Sequence, residues 1–266
     1  MDLHLSGKRA FITGGSAGIG LSIAQHLRAE GAVVTICGRD TSRLEQAVAI
    51  LGGPDKAWGI AADVTNTSAL TAAVEGAADC MGGLDLLVAN AGGSVGGDLL
   101  ESTAEDWMAT FSLNVLHSAH AIRVAVPHFR QSGGGSVVII ASITGWKPGP
   151  RSSYAAAKAA EIHLAAVLAR ELASYGIRVN AVSPGSTYLA EGGWERFSQR
   201  QPELFSTFVR DEFPAGRLLA PDEVADVICF VLSDRAKAIN GAHIAADAAQ
   251  GLPTARRFRT GIDRGS

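Results

Sequence analysis

Short apolar runs alternate along the chain with longer stretches in which apolar residues recur every three or four positions. The runs at 8–13, 32–37, 57–61, 84–89, 136–141, 177–182 and 243–246 predict strands. The periodic stretches at 19–30, 42–51, 67–81, 105–131, 153–175 and 221–233 predict helices. Gly31 closes the first helix, and Pro127 marks a candidate interruption of the stretch 105–131. The strand runs are almost continuously apolar rather than alternating, the pattern of parallel strands covered on both faces. Strand and helix in turn imply an α/β fold: one doubly wound, Rossmann-type domain. Its mostly parallel seven-stranded sheet carries helices on both faces and places ligands at the carboxyl ends of the strands. No repeat or linker marks a second domain, so residues 1–266 read as one.

Composition narrows the function classes. The chain is 47% hydrophobic and 18% charged, which is ordinary for a globular protein. A formal net charge of −3 argues against a nucleic-acid partner, which would need a basic field. The one locally basic segment, Ala255-Arg256-Arg257-Phe258-Arg259, reads as a solvated terminus. Cys37, Cys80 and Cys229 form neither a disulfide framework nor a metal-ligand spacing, and the seven histidines show no paired spacing. Residues 1–5 do not resemble a signal peptide, and no apolar run approaches the roughly 18 residues of a membrane span. The expectation is a cytoplasmic protein in a reducing compartment, without metal or membrane partner.

The first strand ends in Thr13-Gly14-Gly15-Ser16-Ala17-Gly18-Ile19-Gly20, and a helix follows at once. Glycines let the backbone turn tightly and approach a pyrophosphate, while the helix start offers free N–H groups and a favourable dipole. The spacing is G-x-x-x-G-x-G rather than the general G-x-G-x-x-G. Its place at the first strand-to-helix junction makes it a dinucleotide site rather than a mere turn.

Tyr154 and Lys158 stand at i and i+4, on one face of the helix predicted over 153–175. A free tyrosine titrates near 10, and a cation within about 4–6 Å favours phenolate. A shift of about 3 units corresponds to about 4 kcal/mol, which a lysine and an oxidised nicotinamide ring would share. A tyrosine so placed can exchange the proton of an alcohol while hydride moves at carbon. Tyr-x-x-x-Lys alone also describes an ordinary surface pair, so its company matters. Ser142 follows the strand 136–141 at the carboxyl edge of the sheet, where it either polarises a carbonyl oxygen or caps a loop. Asn114, a mediocre helix former inside 105–131, either carries a proton chain behind Lys158 or is a tolerated polar residue.

Together the glycine turn, Asn90-Ala91-Gly92, Asn114, Ser142, Tyr154…Lys158 and Gly176-Ile177-Arg178-Val179-Asn180-Ala181-Val182-Ser183-Pro184-Gly185 resemble the short-chain dehydrogenase/reductase family, in its compact single-domain branch. The likeness covers nearly the whole chain. It implies a hydride-transferring oxidoreductase acting on a small-molecule carbonyl or secondary alcohol, with Asn114, Ser142, Tyr154 and Lys158 as catalytic tetrad. It implies cofactor contacts from Gly14, Ser16, Ala17, Gly18, Ile19 and Gly20, from Asp63-Val64 at the adenine, and from Asn90, Ala91 and Gly92. Tyr154 and Lys158 would also touch the cofactor, and Val182, Pro184, Gly185 and Thr187 would flank the nicotinamide. A homodimer or homotetramer built on the two central long helices is implied as well.

The second strand ends Ile36-Cys37-Gly38-Arg39-Asp40. No acid stands at its tip to hold a ribose 2′-hydroxyl, and Arg39 suits a 2′-phosphate, so NADP(H) is favoured with NAD(H) possible. Asp40 reads as a loop residue or helix cap, and no base lies in the glycine turn, where Ala17 stands. The sequence departs from the family pattern in three places. Leu189 replaces the family's threonine after Pro184, leaving Ser186 or Thr187 to hold the carboxamide. Residues 186–213, with Trp194, Phe197, Leu204, Phe205 and Phe208, suit an amphipathic lid over an apolar substrate, or else core or oligomer packing. Ala246-Asp247-Ala248-Ala249 stands where relatives carry Val-Asp-Gly-Gly. Trp146 and Lys147 are candidates for the pocket wall or for a solvent loop. An alternative, a 3-oxoacyl-thioester reductase, would use Arg151, Arg196 and Arg200 at the entrance. A non-catalytic dinucleotide sensor is disfavoured because all four tetrad positions are filled.

Overall fold

The computed structural model describes residues 2–54 and 56–251. The basic segment noted at 255–259 lies outside them. Seven strands form one parallel sheet in the order β3-β2-β1-β4-β5-β6-β7. They are β1 (Arg9–Thr13), β2 (Val33–Gly38), β3 (Ala57–Ala61), β4 (Leu86–Ala89), β5 (Gly135–Ile140), β6 (Ile177–Pro184) and β7 (His243–Ala246). The chain winds outward from β1 to β3, crosses back to β4, and then winds the other way. The crevice between the carboxyl ends of β1 and β4 is therefore the topological switch point, where such sheets bind ligands.

The continuous apolar runs are explained by the two faces they cover. Successive strand residues point to opposite sides. Ile12, Ile36, Val88 and Val138 pack on one face with Ile23 and Leu27 of α1 (Gly18–Ala29) and Ile228 and Leu232 of α9 (Pro221–Leu232). Phe11, Leu87, Val137 and Ile139 pack on the other face. There they meet Leu70 and Val74 of α3 (Thr67–Met81), Phe129 of α5 (His117–Gln131), and Ala165 and Ala169 of α6 (Ser152–Leu172).

Strand and helix ends fall within a few residues of the sequence-based limits, because ladder partners rather than apolarity decide where a strand stops. Ser183 and Pro184 extend β6 by pairing with Ala245 and Ala246. The stretch 105–131 is not one helix. It comprises α4 (Ala104–Phe111), a π-helical turn at Ser112–Leu116 and α5. The cause is Asn114, whose amide donates 2.7 Å to the carbonyl of Thr110, one turn back, and competes there with the helical ladder. Pro127 sits inside α5 without ending it. The remaining helices are α2 (Thr41–Ile50), capped by Asp40 through Arg43 N at 3.1 Å, α7 (Gly193–Arg200) and α8 (Pro202–Glu212). No helix among the described residues is long and apolar enough to cross a membrane.

Candidate active site

The site grows from the end of β1. Thr13 leads into Gly14, whose φ of +63° lies in the left-handed region that favours glycine. A Cβ on Gly20 would stand 2.4 Å from the carbonyl oxygen of Gly14 and 2.5 Å from Asn90 Nδ2, so only glycine lets α1 start this close to the turn. Asn90 ties the end of β4 to the same turn, its Nδ2 donating 3.0 Å to the carbonyls of both Thr13 and Gly14. Thr13 Oγ1 in turn accepts the backbone N–H groups of Asn90 at 2.9 Å and Ala91 at 3.0 Å. No side chain caps α1 at Ala17, so the first N–H groups of the helix stay available to an anion.

A cleft of about 900 Å³ runs from this turn to Tyr154. Ser16, Ala17, Gly18, Ile19 and Gly20 line one end. Ser142, Tyr154, Lys158, Pro184, Gly185 and Thr187 line the other. A second recess of about 300 Å³, sharing Ser16, Asn90 and Gly92 with the first, is walled by Gly14, Arg39, Asp63, Val64 and Ala91. Two hydrogen bonds from Thr65, from its N–H and its hydroxyl, hold the Asp63 carboxyl below the usual range, and the charge of Arg39 adds to this. The elongated cleft, the bare helix start and the Gly20 cradle suit the pyrophosphate of a dinucleotide.

At the chemical end, α6 carries Tyr154 and Lys158 on one face. Lys158 Nζ lies 5.6 Å from the centre of the Tyr154 ring and donates 2.8 Å to the carbonyl of Ile140 at the end of β5. The ammonium also pairs with Glu161 Oε2 at 2.8 Å, and both side chains are essentially inaccessible. Ser142 both caps and faces the cleft. Its Oγ accepts from Thr144 N at 3.3 Å and Thr144 Oγ1 at 3.1 Å, which leaves its own hydroxyl proton unspent. Asn114 is fully buried beneath this floor. Its Oδ1 accepts Gly93 N at 3.2 Å and its Nδ2 donates 2.7 Å to the carbonyl of Gly93. Asn114 Oδ1 and Lys158 Nζ both lie within 3.0 Å of where a Cβ on Gly92 would stand, so the loop, the π turn and α6 meet at one point.

Several sequence-based assignments change. Val182 is fully buried in β6 and does not line the cleft; Ile140 and Ile143 line it instead. Trp146 and Lys147 are not on the cleft wall. Trp146 packs edge-on to His243, and Lys147 pairs with Glu212 at the end of α8. Arg151, Arg196 and Arg200, the bases expected at the entrance for a thioester substrate, do not line it either. Of the two carboxamide candidates, Ser186 is engaged by Gln250, whereas the Thr187 hydroxyl donates 3.0 Å to Gly185 O within its own turn. The sequence reading missed Arg43, which lines both cavities, as well as Glu161 and His117. Glu161 follows Lys158 by three residues and Tyr154 by seven, a spacing that already puts all three on one helical face.

His117 is buried behind Thr13, with Nε2 3.3 Å from Thr13 Oγ1. Burial, then the charge of Lys158, pushes its imidazole down to about 4 from an ordinary value of 6.5. An unfolded chain binds this proton below pH 6.5, while the folded one refuses it until about pH 4. Stability from His117 is therefore complete above pH 6.5 and is lost as pH falls towards 4, by about 3 kcal/mol. Urea unfolding of the wild type and His117→Gln across this window checks it, and parallel pH profiles would refute the assignment.

The family described as short chain dehydrogenase matches residues 8–200. The chain is 34% identical over 250 residues to 2-(S)-hydroxypropyl-CoM dehydrogenase 3 of Xanthobacter autotrophicus, covering 93% of this chain and 98% of that one. It is 33% identical to dehydrogenase/reductase SDR family member 4 of Mus musculus, covering 89% of this chain and 85% of the other. Among solved structures, L-sorbose reductase from Gluconobacter frateurii, complexed with NADPH and L-sorbose, superposes with a TM-score of 0.88 at 30% identity. That match covers 96% of this chain and all of the other. The chain thus belongs to the short-chain dehydrogenase/reductase family, nicotinamide-dependent oxidoreductases that act on CH–OH and C=O groups.

Proposed function

We propose that the protein is an NADP(H)-dependent carbonyl reductase or secondary-alcohol dehydrogenase with Tyr154 as general acid and base. The observation that carries this reading is a single cleft with the bare start of α1 at one end and Ser142, Tyr154 and Lys158 at the other. NADP(H), when bound, donates or accepts the hydride. The rest falls to side chains. Ser142 directs its unspent hydroxyl proton at the substrate oxygen. Tyr154 gives that oxygen a proton in reduction and removes one in oxidation. Lys158 stabilises the negative charge that develops on the phenol oxygen as its proton leaves. Asn114, fully hydrogen-bonded, holds the Gly92–Gly93 loop and the floor beneath Lys158 in place.

Ser16, Arg39 and Arg43 at the rim of the second recess support the choice of NADP(H). The second base that the glycine turn lacks is supplied from the first turn of α2. Arg43 shares its charge with Asp40 at 3.5 Å, and Arg39 is the freer group. The NADPH in the solved sorbose reductase points the same way. A panel of small ketones and secondary alcohols, followed through reduced-cofactor absorbance, tests the reading. Wild type should favour NADPH over NADH by about tenfold or more in kcat/KM, and Arg39→Ala with Arg43→Ala should erase the preference by raising KM for NADPH. A marked preference for NADH would overturn the choice.

Residues 186–213 are the lid in this reading. Leu189, Gly192 and Trp194 line the cleft, and Trp194 stacks on Phe208 at 4.6 Å, so α7 and α8 cohere through their own aromatic rings. Exposed Met108, Leu116 and Val167, on or beside α4, α5 and α6, support a homo-oligomer, which sedimentation tests.

A further inference from the structure

Glu161 sits at zero exposure on the inner face of α6, one turn beyond Lys158. A buried carboxylate is destabilising unless it is paired and hydrogen-bonded. Ser118 contributes little to it. Its single hydroxyl proton goes 2.8 Å to the carbonyl of Asn114, leaving Glu161 Oε1 at 3.5 Å. The chief partner of Glu161 is therefore the Lys158 ammonium, 2.8 Å from Oε2 and angled outside ordinary hydrogen-bond geometry.

We propose that Glu161 is a positioning residue for the reaction: an ionised counter-charge that acts through Lys158, offsetting part of the ammonium's field at the Tyr154 phenol. The inference rests on the acid/base reading of Tyr154. Lys158 has three N–H groups. Ile140 O takes one and holds the ammonium in place, and Glu161 attracts it through charge at 2.8 Å. Burial raises the Glu161 carboxyl above its usual range, and the charge of Lys158 offsets part of that rise.

The surroundings supply no substitute for this pair. His117 is held neutral by burial. Glu105 and Asp106 of α4, packed against α6, lie at the solvent end of that helix, where Asp106 accepts Thr103 N. Arg178 of β6 is spent on the carbonyls of residues 231–233 and 239, and His243 of β7 bonds to Ser183.

The test is a tyrosinate absorbance titration of the ligand-free protein, taken as the difference between each protein and its Tyr154→Phe counterpart. This isolates Tyr154 without any substrate. In Glu161→Gln, which keeps size and a hydrogen-bonding oxygen, the midpoint should fall by about one pH unit because the lysine field is no longer offset. Glu161→Met, matched in volume, should shift it the same way. A midpoint that stays in place or rises in the folded variants overturns the role. Carboxyl ¹³C NMR of labelled wild type at pH 7 is independent of how the variants fold: a carboxylate supports the proposal, and a protonated acid overturns it. Failure of the underlying reading would look different, because Tyr154→Phe would then reduce a ketone with NADPH at near wild-type rate.

Discussion

Replacing Tyr154 by phenylalanine is expected to lower kcat/KM about a thousandfold, within the range for loss of a positioned general acid or base. The phenol oxygen is all that is removed, and the aromatic ring that packs over Lys158 at 5.6 Å remains. NADPH affinity, measured by fluorescence titration, should change by no more than a few-fold, because the helix start and glycine turn lie at the other end of the cleft. A fall in kcat without a matching rise in KM is the signature of an interaction made in the transition state. Lost cofactor binding in this variant would instead mean that Tyr154 is structural.

The second large effect belongs to Gly20. A methyl group there meets the Gly14 carbonyl at 2.4 Å and the Asn90 amide at 2.5 Å, and neither can swing away. The Asn90 amide is already committed to the carbonyls of Thr13 and Gly14. Gly20→Ala must lift α1 off the turn. It should destabilise the fold by about 3 kcal/mol, the upper end for overpacking, and weaken NADPH binding about tenfold or more. Gly76 is the contrast. It lies inside α3, where an added Cβ touches only Ile60 Cδ1 at 3.5 Å. Gly76→Ala should stabilise the protein by about 0.5–1 kcal/mol through helix propensity. Urea denaturation of the pair separates a glycine required by close approach from one that is merely tolerated.

The contrast also marks what could be read from the sequence. The alternation of elements and the apolar runs of parallel strands were legible because both faces of the sheet impose the same chemistry on every strand residue. Tyr154 and Lys158 were legible because helical spacing alone puts them together. The π turn was not, since Asn114 reaches both the carbonyl of Thr110, one turn back, and that of Gly93, 21 residues away. Arg43 falls at the start of the helix predicted over 42–51, and nothing in its spacing marks it as a ligand contact. Only the path of the chain from β2 into α2 brings it to the rim beside Ser16. Glu161 was hidden because a glutamate within a helix normally faces water, whereas here it is fully buried. The Ala248-Ala249 departure is now a backbone fact. Both alanines adopt positive φ, at 49° and 67°, where glycine would be unstrained, and Asp247 accepts the N–H groups of Ala249 and Gly251 to hold the turn.

Hydride transfer at this cleft, with proton exchange through Tyr154, can be followed in the product itself. A ketone turned over by the wild type with NADPH deuterated at the transferable C4 position should yield an alcohol carrying one deuteron on its carbinol carbon. Tyr154→Phe run in parallel should yield about a thousandth as much over the same time. Alcohol formed without the label, or labelled alcohol formed by Tyr154→Phe at the wild-type rate, would contradict the account.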